Sequence, residues 1–304
     1  MNVRPELTRE STRPLVVAIG FFDGFHRGHR EIARQTMRLR KPGWRTGVLT
    51  FANHPASHLR PGSEPPLLST PQERLDLFAD AGFEECFFAT FDEKIATLSP
   101  QAFLEILVRR LAVRGVVVGT TFRFGHKRTG DVSLMREQLA SQQVRCVAVE
   151  PVVEDGERIS STRIRALVRD GRLEEADRLL GGTGYEIRGP VEIGAGRGHS
   201  LGFPTANVKV PGKLLPKDGV YSAVGRYDGR DYAALVSIGT NPQFGGGART
   251  VEAWLRDFPH TIYGRELSLR DFRYVREQRL FSDVGELIQQ MHHDLQAVGY
   301  PSYG

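Results

Sequence analysis

Five near-continuous apolar runs in the first half of the chain do most to restrict its fold: LVVAIG at 15–20, TGVLTF at 46–51, ECFFATF at 85–91, GVVVG at 115–119 and VRCVAVE at 144–150. A strand wetted on one face alternates apolar and polar residues, whereas a parallel strand covered on both faces is apolar throughout. Helical stretches separate the runs. One opens at Thr70-Pro71-Gln72-Glu73, a capping box with proline at the first helical position, and another at Ser99-Pro100. This order predicts an α/β fold, a Rossmann-like doubly wound parallel sheet with right-handed crossovers.

The texture changes near Gly181-Gly182-Thr183-Gly184. Short strands broken by Gly/Pro turns follow at 185–193, 219–227, 232–238, 250–256 and 267–275, the pattern of a small antiparallel β-barrel. From about Asp283 a terminal helix is expected, with Val284, Leu287, Ile288, Met291, Leu295 and Val298 as its apolar stripe. Two domains result, 1–183 and 184–304, a division that suits the length of 304 residues.

Several function classes drop out on composition. No apolar run approaches the ~18 residues that span a bilayer. The N-terminal MNVRPELTRESTRP lacks the apolar stretch of a signal peptide, so the cytoplasm is expected and no membrane partner is. Cys86 and Cys146 both lie in apolar runs and have neither disulfide nor zinc spacing. The net charge of +5 is scattered, and its densest clusters, 30–41 and 158–172, adjoin motifs suited to phosphate. Small anionic nucleotides account for that balance, so nucleic acid is not expected as a partner.

The first such motif, GFFDGFHRGH at 20–29, directly follows the first strand and leads into a helix. Ligands of open α/β sheets bind beyond the carboxyl ends of the strands. Backbone at Gly20, Phe22, Asp23, Gly24 and Gly28 can approach phosphate there, aided by the helix N-terminus. His26 and His29, three apart, share one face of the first turn and can hydrogen-bond polyphosphate oxygens. The second motif, ISSTRIR at 159–165, follows the last strand of the domain. Ser161 and Thr162 offer hydroxyls that cap a helix or bind phosphate, and Arg163 and Arg165 offer cationic forks. Either motif alone is commonplace; both at strand-to-helix junctions of one domain point to a nucleotide site.

With LTFANHP (49–55) and VVVGTTFRFGHKRTGD (116–131), this half of the chain resembles the H-x-G-H nucleotidyltransferase superfamily, specifically the adenylyltransferase module of prokaryotic bifunctional riboflavin kinase/FAD synthetases. The resemblance implies that His26 and His29 bind ATP phosphates while Ser161, Arg163 and Arg165 close on the transferred group. It also implies that His54, Pro55, Phe122 and Phe124 shape the flavin side. Phe21 stands where asparagine is frequent, and Thr121 where the family has Asp or Asn, which removes amide or carboxylate reach. The chemistry implied is in-line attack of the FMN phosphate on the α-phosphorus of ATP. It needs positioning and charge neutralisation, including by Mg²⁺, and no protein nucleophile.

In the second half, GAGRGHSLGFPTAN (194–207) joins a glycine-rich loop, including Gly196, Gly202 and Pro204, to Thr205 and Asn207. Their side-chain oxygens are hard, neutral ligands suited to Mg²⁺. In TVEAWLRDF, Glu252, Trp254 and Arg256 alternate with Val251, Ala253 and Leu255. That alternation fits a solvated carboxylate as well as a general base. The strings YEIRGPV, LGFPTAN, LPKDGVY, SIGTNPQFG, VEAWLRDF and IYGR, and the closing VREQRLF before a helix, resemble the riboflavin kinase family. By that resemblance Thr205 and Asn207 bind Mg-ATP, Glu252 is the base acting on riboflavin and Arg276 belongs to the flavin-side closure. Gln243 and Trp254 depart from the usual threonine and histidine. The whole implies phosphorylation of riboflavin to FMN and adenylylation of FMN to FAD. The alternatives are a kinase with a weak or re-purposed adenylyltransferase, and a non-catalytic flavin- or nucleic-acid-binding regulator.

Overall fold

Parallel pairing organises the N-terminal half of the protein in a computed structural model that describes residues 1–5, 7, 12–59, 61–182, 184–193, 205–240, 249–259, 261–279, 281 and 284–299. The chain divides into two units, Met1–Ser161 and Thr162–Gly304. The first runs β1 (Asn2–Arg4), β2 (Leu15–Ile19), α1 (Arg27–Leu39), β3 (Arg45–Phe51), α2 (Pro55–Leu59), α3 (Pro71–Asp80), β4 (Glu85–Ala89), α4 (Glu93–Ala96) and α5 (Pro100–Glu105). It continues with β5 (Val113–Gly119), a hairpin of β6 (Arg123–Phe124) and β7 (Gly130–Asp131), α6 (Val132–Ala140), β8 (Arg145–Val149) and a hairpin of β9 (Val153–Glu154) and β10 (Glu157–Arg158).

The sheet has the order β1-β4-β3-β2-β5-β8, every pair parallel. Strand β2 shows why its run is apolar throughout: Leu15, Val17 and Ile19 face one core and Val16 and Ala18 the other. The capping box of α3 forms, with Thr70 Oγ1 accepting from Glu73 N and Glu73 returning to Thr70 N, and Ser99 caps α5. Strand β1 is an addition that the polar N-terminus did not signal. Arg4 and the buried Arg45 both bind Glu85, so ion pairing rather than apolar pattern secures this edge.

The second unit contains α7 (Ser161–Arg169, beginning at the boundary), α8 (Leu173–Leu180), β11 (Ile187–Glu192), β12 (Thr205–Val208), β13 (Gly219–Tyr227), β14 (Arg230–Gly239), β15 (Thr250–Leu255), β16 (Glu266–Arg276) and α9 (Val284–Ala297). Six of its described strands close a barrel in the order β11-β12-β15-β14-β13-β16. Strand β12 falls within what reads in sequence as a ligand motif. Contacts group α7 and α8 with the barrel, α8 packing on β16, so the compact units divide earlier than residue 183. Inward-facing Ala206, Val208, Val251, Ala253 and Leu255 are buried. On the outer face Val220, Leu235 and Trp254 pack with Leu295 of α9, joined by Ile288, Met291 and Val298. The side chains of Val284 and Leu287 lie outside the described residues.

Candidate active sites

The loop after β2 lies where the order of the parallel sheet reverses, between β2 and β5, the usual ligand position in such sheets. Two phenylalanines adopt the left-handed region there, Phe22 at φ 57° and Phe25 at φ 38°. The Phe22 ring lies against Gly20, where an added Cβ would come within 2.9 Å of it. Asp23 is buried, and its carboxylate accepts from Leu68 N and Ser69 N at 3.0–3.1 Å. Gly24 N donates to Ser69 Oγ at 2.7 Å. The Asp23 carboxylate therefore braces this turn from behind, while its carbonyl accepts the Ser161 hydroxyl at 2.9 Å.

His26 is the N-cap of α1, its Nδ1 accepting from His29 N at 3.3 Å. That bond places the proton of the neutral ring on Nε2. The two imidazoles stack with centroids 3.6 Å apart and planes at 18°. Gly28 permits this, since a Cβ there would stand 3.1 Å from the His26 ring. His29 Nδ1 is sealed from solvent without a hydrogen-bond partner. Burial, then the neighbouring His26, holds the His29 pKa well below 6.5. With His29 held neutral by burial, the pair offers imidazole N–H groups at the positive end of a helix whose first turn has no acidic residue.

Neighbouring loops bring further residues to the same sheet edge. His54 Nδ1 accepts from Ala56 N at 3.1 Å, and its ring meets Phe21 edge-on with centroids 4.6 Å apart. Pro55 opens α2. Phe122 follows β5 in a half-buried position. Phe124 is buried, stacked on Phe122 and tilted against Phe103, so its ring is part of the core. Thr121 is exposed in the same turn. Arg27 pairs with Glu154, tying the β9–β10 hairpin to α1. Thr162, Arg163 and Arg165 belong to α7 in the second unit; Arg165 is buried and Arg163 half-buried. Two positions along a helix is a turn of about 200°, so these arginines diverge. One residue that the sequence reading passed over is Arg74 of α3, fully buried beneath the first loop.

The barrel assembles a second cluster by register. Asn207 pairs directly with Glu252 across β12 and β15, Thr205 pairs with Trp254, and Ser237 of β14 pairs with Glu252 from the other side. Thr205, Asn207, Ser237 and Glu252 therefore share the outer face that also carries the α9 contact. Glu252 is half-buried, with the Thr250 hydroxyl at 3.4 Å as its hydrogen-bond partner and no ion pair among the described residues. Burial raises its pKa above 4.5 despite that bond. A desolvated carboxylate without a cation, opposite two neutral oxygens, fits a divalent cation brought with a nucleotide. Arg276 donates from Nε and Nη2 to the buried Asp294, both at 2.7 Å, fastening the end of β16 to α9. Gly196, Gly202, Pro204 and Gln243 lie outside the described residues.

A doubly wound module with paired imidazoles at a helix start, followed by a barrel bearing a threonine–asparagine–glutamate cluster, defines a two-module nucleotide-dependent transferase. Residues 8–163 match the FAD synthetase family and residues 181–299 the riboflavin kinase family. The chain is 34% identical to a bifunctional riboflavin kinase/FMN adenylyltransferase of Listeria monocytogenes, over 92% of this chain and 90% of that protein. It is 32% identical to one from Bacillus subtilis, over 95% and 93%. A crystal structure described as a macrolide-efflux protein from Streptococcus pneumoniae shares the fold, with a TM-score of 0.84 at 28% identity over 97% of this chain and 98% of that one. No helix among the described residues is long and apolar enough to cross a membrane. The chain belongs to the bifunctional riboflavin kinase/FMN adenylyltransferase family.

Proposed function

We infer that the barrel domain, 184–304, phosphorylates riboflavin to FMN and that the α/β domain, 1–183, adenylylates FMN to FAD with release of pyrophosphate. The observation that carries this is the direct pairing of Asn207 with Glu252, in a chain that also stacks His26 on His29 at a helix start.

In the barrel, Glu252 accepts the proton of the riboflavin 5′-hydroxyl, and the oxygen attacks the γ-phosphorus of ATP as ADP departs. Its raised pKa makes it a stronger base than an exposed carboxylate. Thr205 and Asn207 would hold Mg²⁺, which on binding neutralises phosphate charge. Arg276, locked on Asp294, keeps α9 over the flavin side, and Gly196, Gly202 and Pro204 are assigned to nucleotide binding.

In the α/β domain the FMN phosphate attacks the α-phosphorus of ATP. His26 and His29 donate N–H groups to the charge that develops on the phosphate oxygens, and the backbone at Gly20, Phe22, Gly24 and Gly28 lines the path. Ser161, Thr162, Arg163 and Arg165 close on the transferred group, while His54, Pro55 and Phe122 face the flavin. Partners are these small molecules, not nucleic acid or membrane. The two free cysteines suit the reducing cytoplasm.

A time course with riboflavin and Mg-ATP tests the reading: FMN should rise first and FAD follow. FMN that never advances would leave a kinase alone, the outcome that Thr121 makes worth checking. Flavin binding without turnover would leave a regulator.

A further inference from the structure

Arg74 occupies a place where an apolar residue would be expected. It lies on the inward face of α3, one turn before the buried Phe78, and is 0% exposed. None of the described acids forms an ion pair with it, and its Nε has no partner. Burial brings the guanidinium down to about 10, a fall that the charge of Asp23 offsets only in part, and it stays charged at neutral pH. Three backbone carbonyls satisfy it instead. Nη1 donates to Phe21 O at 3.1 Å and Phe51 O at 2.9 Å, and Nη2 donates to Ala52 O at 3.0 Å. Thr50 Oγ1 adds a second bond to Phe21 O at 3.0 Å.

Those carbonyls come from two different loops. Phe21 begins the turn that delivers His26 and His29, and Phe51–Ala52 begins the turn that delivers His54. The guanidinium is also stacked, its carbon 4.5 Å from the Phe21 ring centroid and 5.2 Å from that of Phe88. Phe21 in turn meets His54. A planar fork can serve three converging oxygens and a ring face together; an ammonium cannot.

We propose that Arg74 is a positioning residue for FMN adenylylation, holding the imidazole-bearing loop and the His54 loop in one register through the Arg74–Phe21–His54 stack. The inference rests on the reading that this site joins FMN to ATP. Arg74 touches neither substrate. It fixes the distance between the two loops that would hold them, and misplacement of about 1 Å costs on the order of 100-fold in turnover.

The test uses the full chain, with folded adenylylation sites counted as the ATP bound beyond the barrel's own equivalent, and the kinase as a control in the same molecules. Arg74→Lys keeps the charge and loses the fork. Its adenylylation kcat per folded site should fall ~30- to 100-fold, with KM for ATP within about threefold and kinase turnover unchanged. An Arg74→Lys enzyme whose adenylylation kcat stays within about threefold of the parent overturns the proposal. A purely structural role would lower the number of folded sites and leave the turnover of each intact. If Arg74→Lys does not fold, Phe21→Leu keeps all three carbonyl bonds and removes only the stacked ring. It should raise KM for FMN about tenfold with KM for ATP unmoved, and an unmoved KM for FMN counts against the stack. A parent chain that makes no FAD would sink the functional reading itself.

Discussion

Replacing Glu252 by glutamine separates the barrel's chemistry from its stability. The side chain keeps its shape and its contact with Thr250 but can no longer accept a proton. General-base catalysis contributes about 10²- to 10⁴-fold, equivalent to roughly 3–5 kcal/mol of barrier. The base is poised by burial, so removing it should cost at least ~100-fold in kcat for FMN formation. Stability should move the other way. A raised carboxylate pKa means that the native state prefers the protonated form; the stabilisation is present below the ordinary value near 4.5 and is lost as pH rises through the higher folded value. At neutral pH the folded protein therefore bears a desolvated charge with no ion-pair partner among the described residues, and Glu252→Gln should match or slightly exceed the parent in Tm. The assay is chromatographic separation of riboflavin, FMN and FAD at fixed Mg-ATP, repeated across pH. Parent kinase activity should fall on acidification with a midpoint above 4.5, and the variant should lack that limb. FAD formation from added FMN, carried out elsewhere in the chain, should survive. A variant that retains more than about a tenth of parent kcat, or the same acid limb, would refute the assignment.

Two further outcomes are expected. His29→Ala should lower FAD formation ~100-fold while leaving riboflavin phosphorylation intact. In the unliganded protein the His29 ring should titrate below 6.5 by NMR, so its stabilising contribution is complete above that value and declines as pH falls toward the folded pKa. Asp294→Ala leaves Arg276 without its buried partner, which should weaken α9 docking by about 3 kcal/mol. The readout is lost hydrogen-exchange protection across Val284–Ala297 together with slower FMN formation.

Local pattern carried much of this architecture. Both-face burial compels apolar strands such as LVVAIG, and Gly/Pro-punctuated short strands have few solutions other than a barrel, so both fold classes and the final helix were legible from order and period alone. The imidazole pair was legible too, because three-residue spacing on a helix start is a local geometry. What sequence left open lay between distant positions. Glu252 on an alternating strand fits either water or a base; the register that sets it beside Asn207 and Ser237, and the burial that raises its pKa, came only with the fold. In sequence Asp23 stands in the loop whose backbone can approach phosphate, and the resemblance sets Arg276 at the flavin side, but neither reading says what the side chain itself meets. The fold commits the Asp23 carboxylate to Leu68 and Ser69, and the Arg276 guanidinium to Asp294. Arg74 and strand β1 gave no local signal, because a buried cation or a polar edge is stabilised only by partners far along the chain. Periodicity reports which side of an element is buried. It is the tertiary packing that decides what each buried polar group meets.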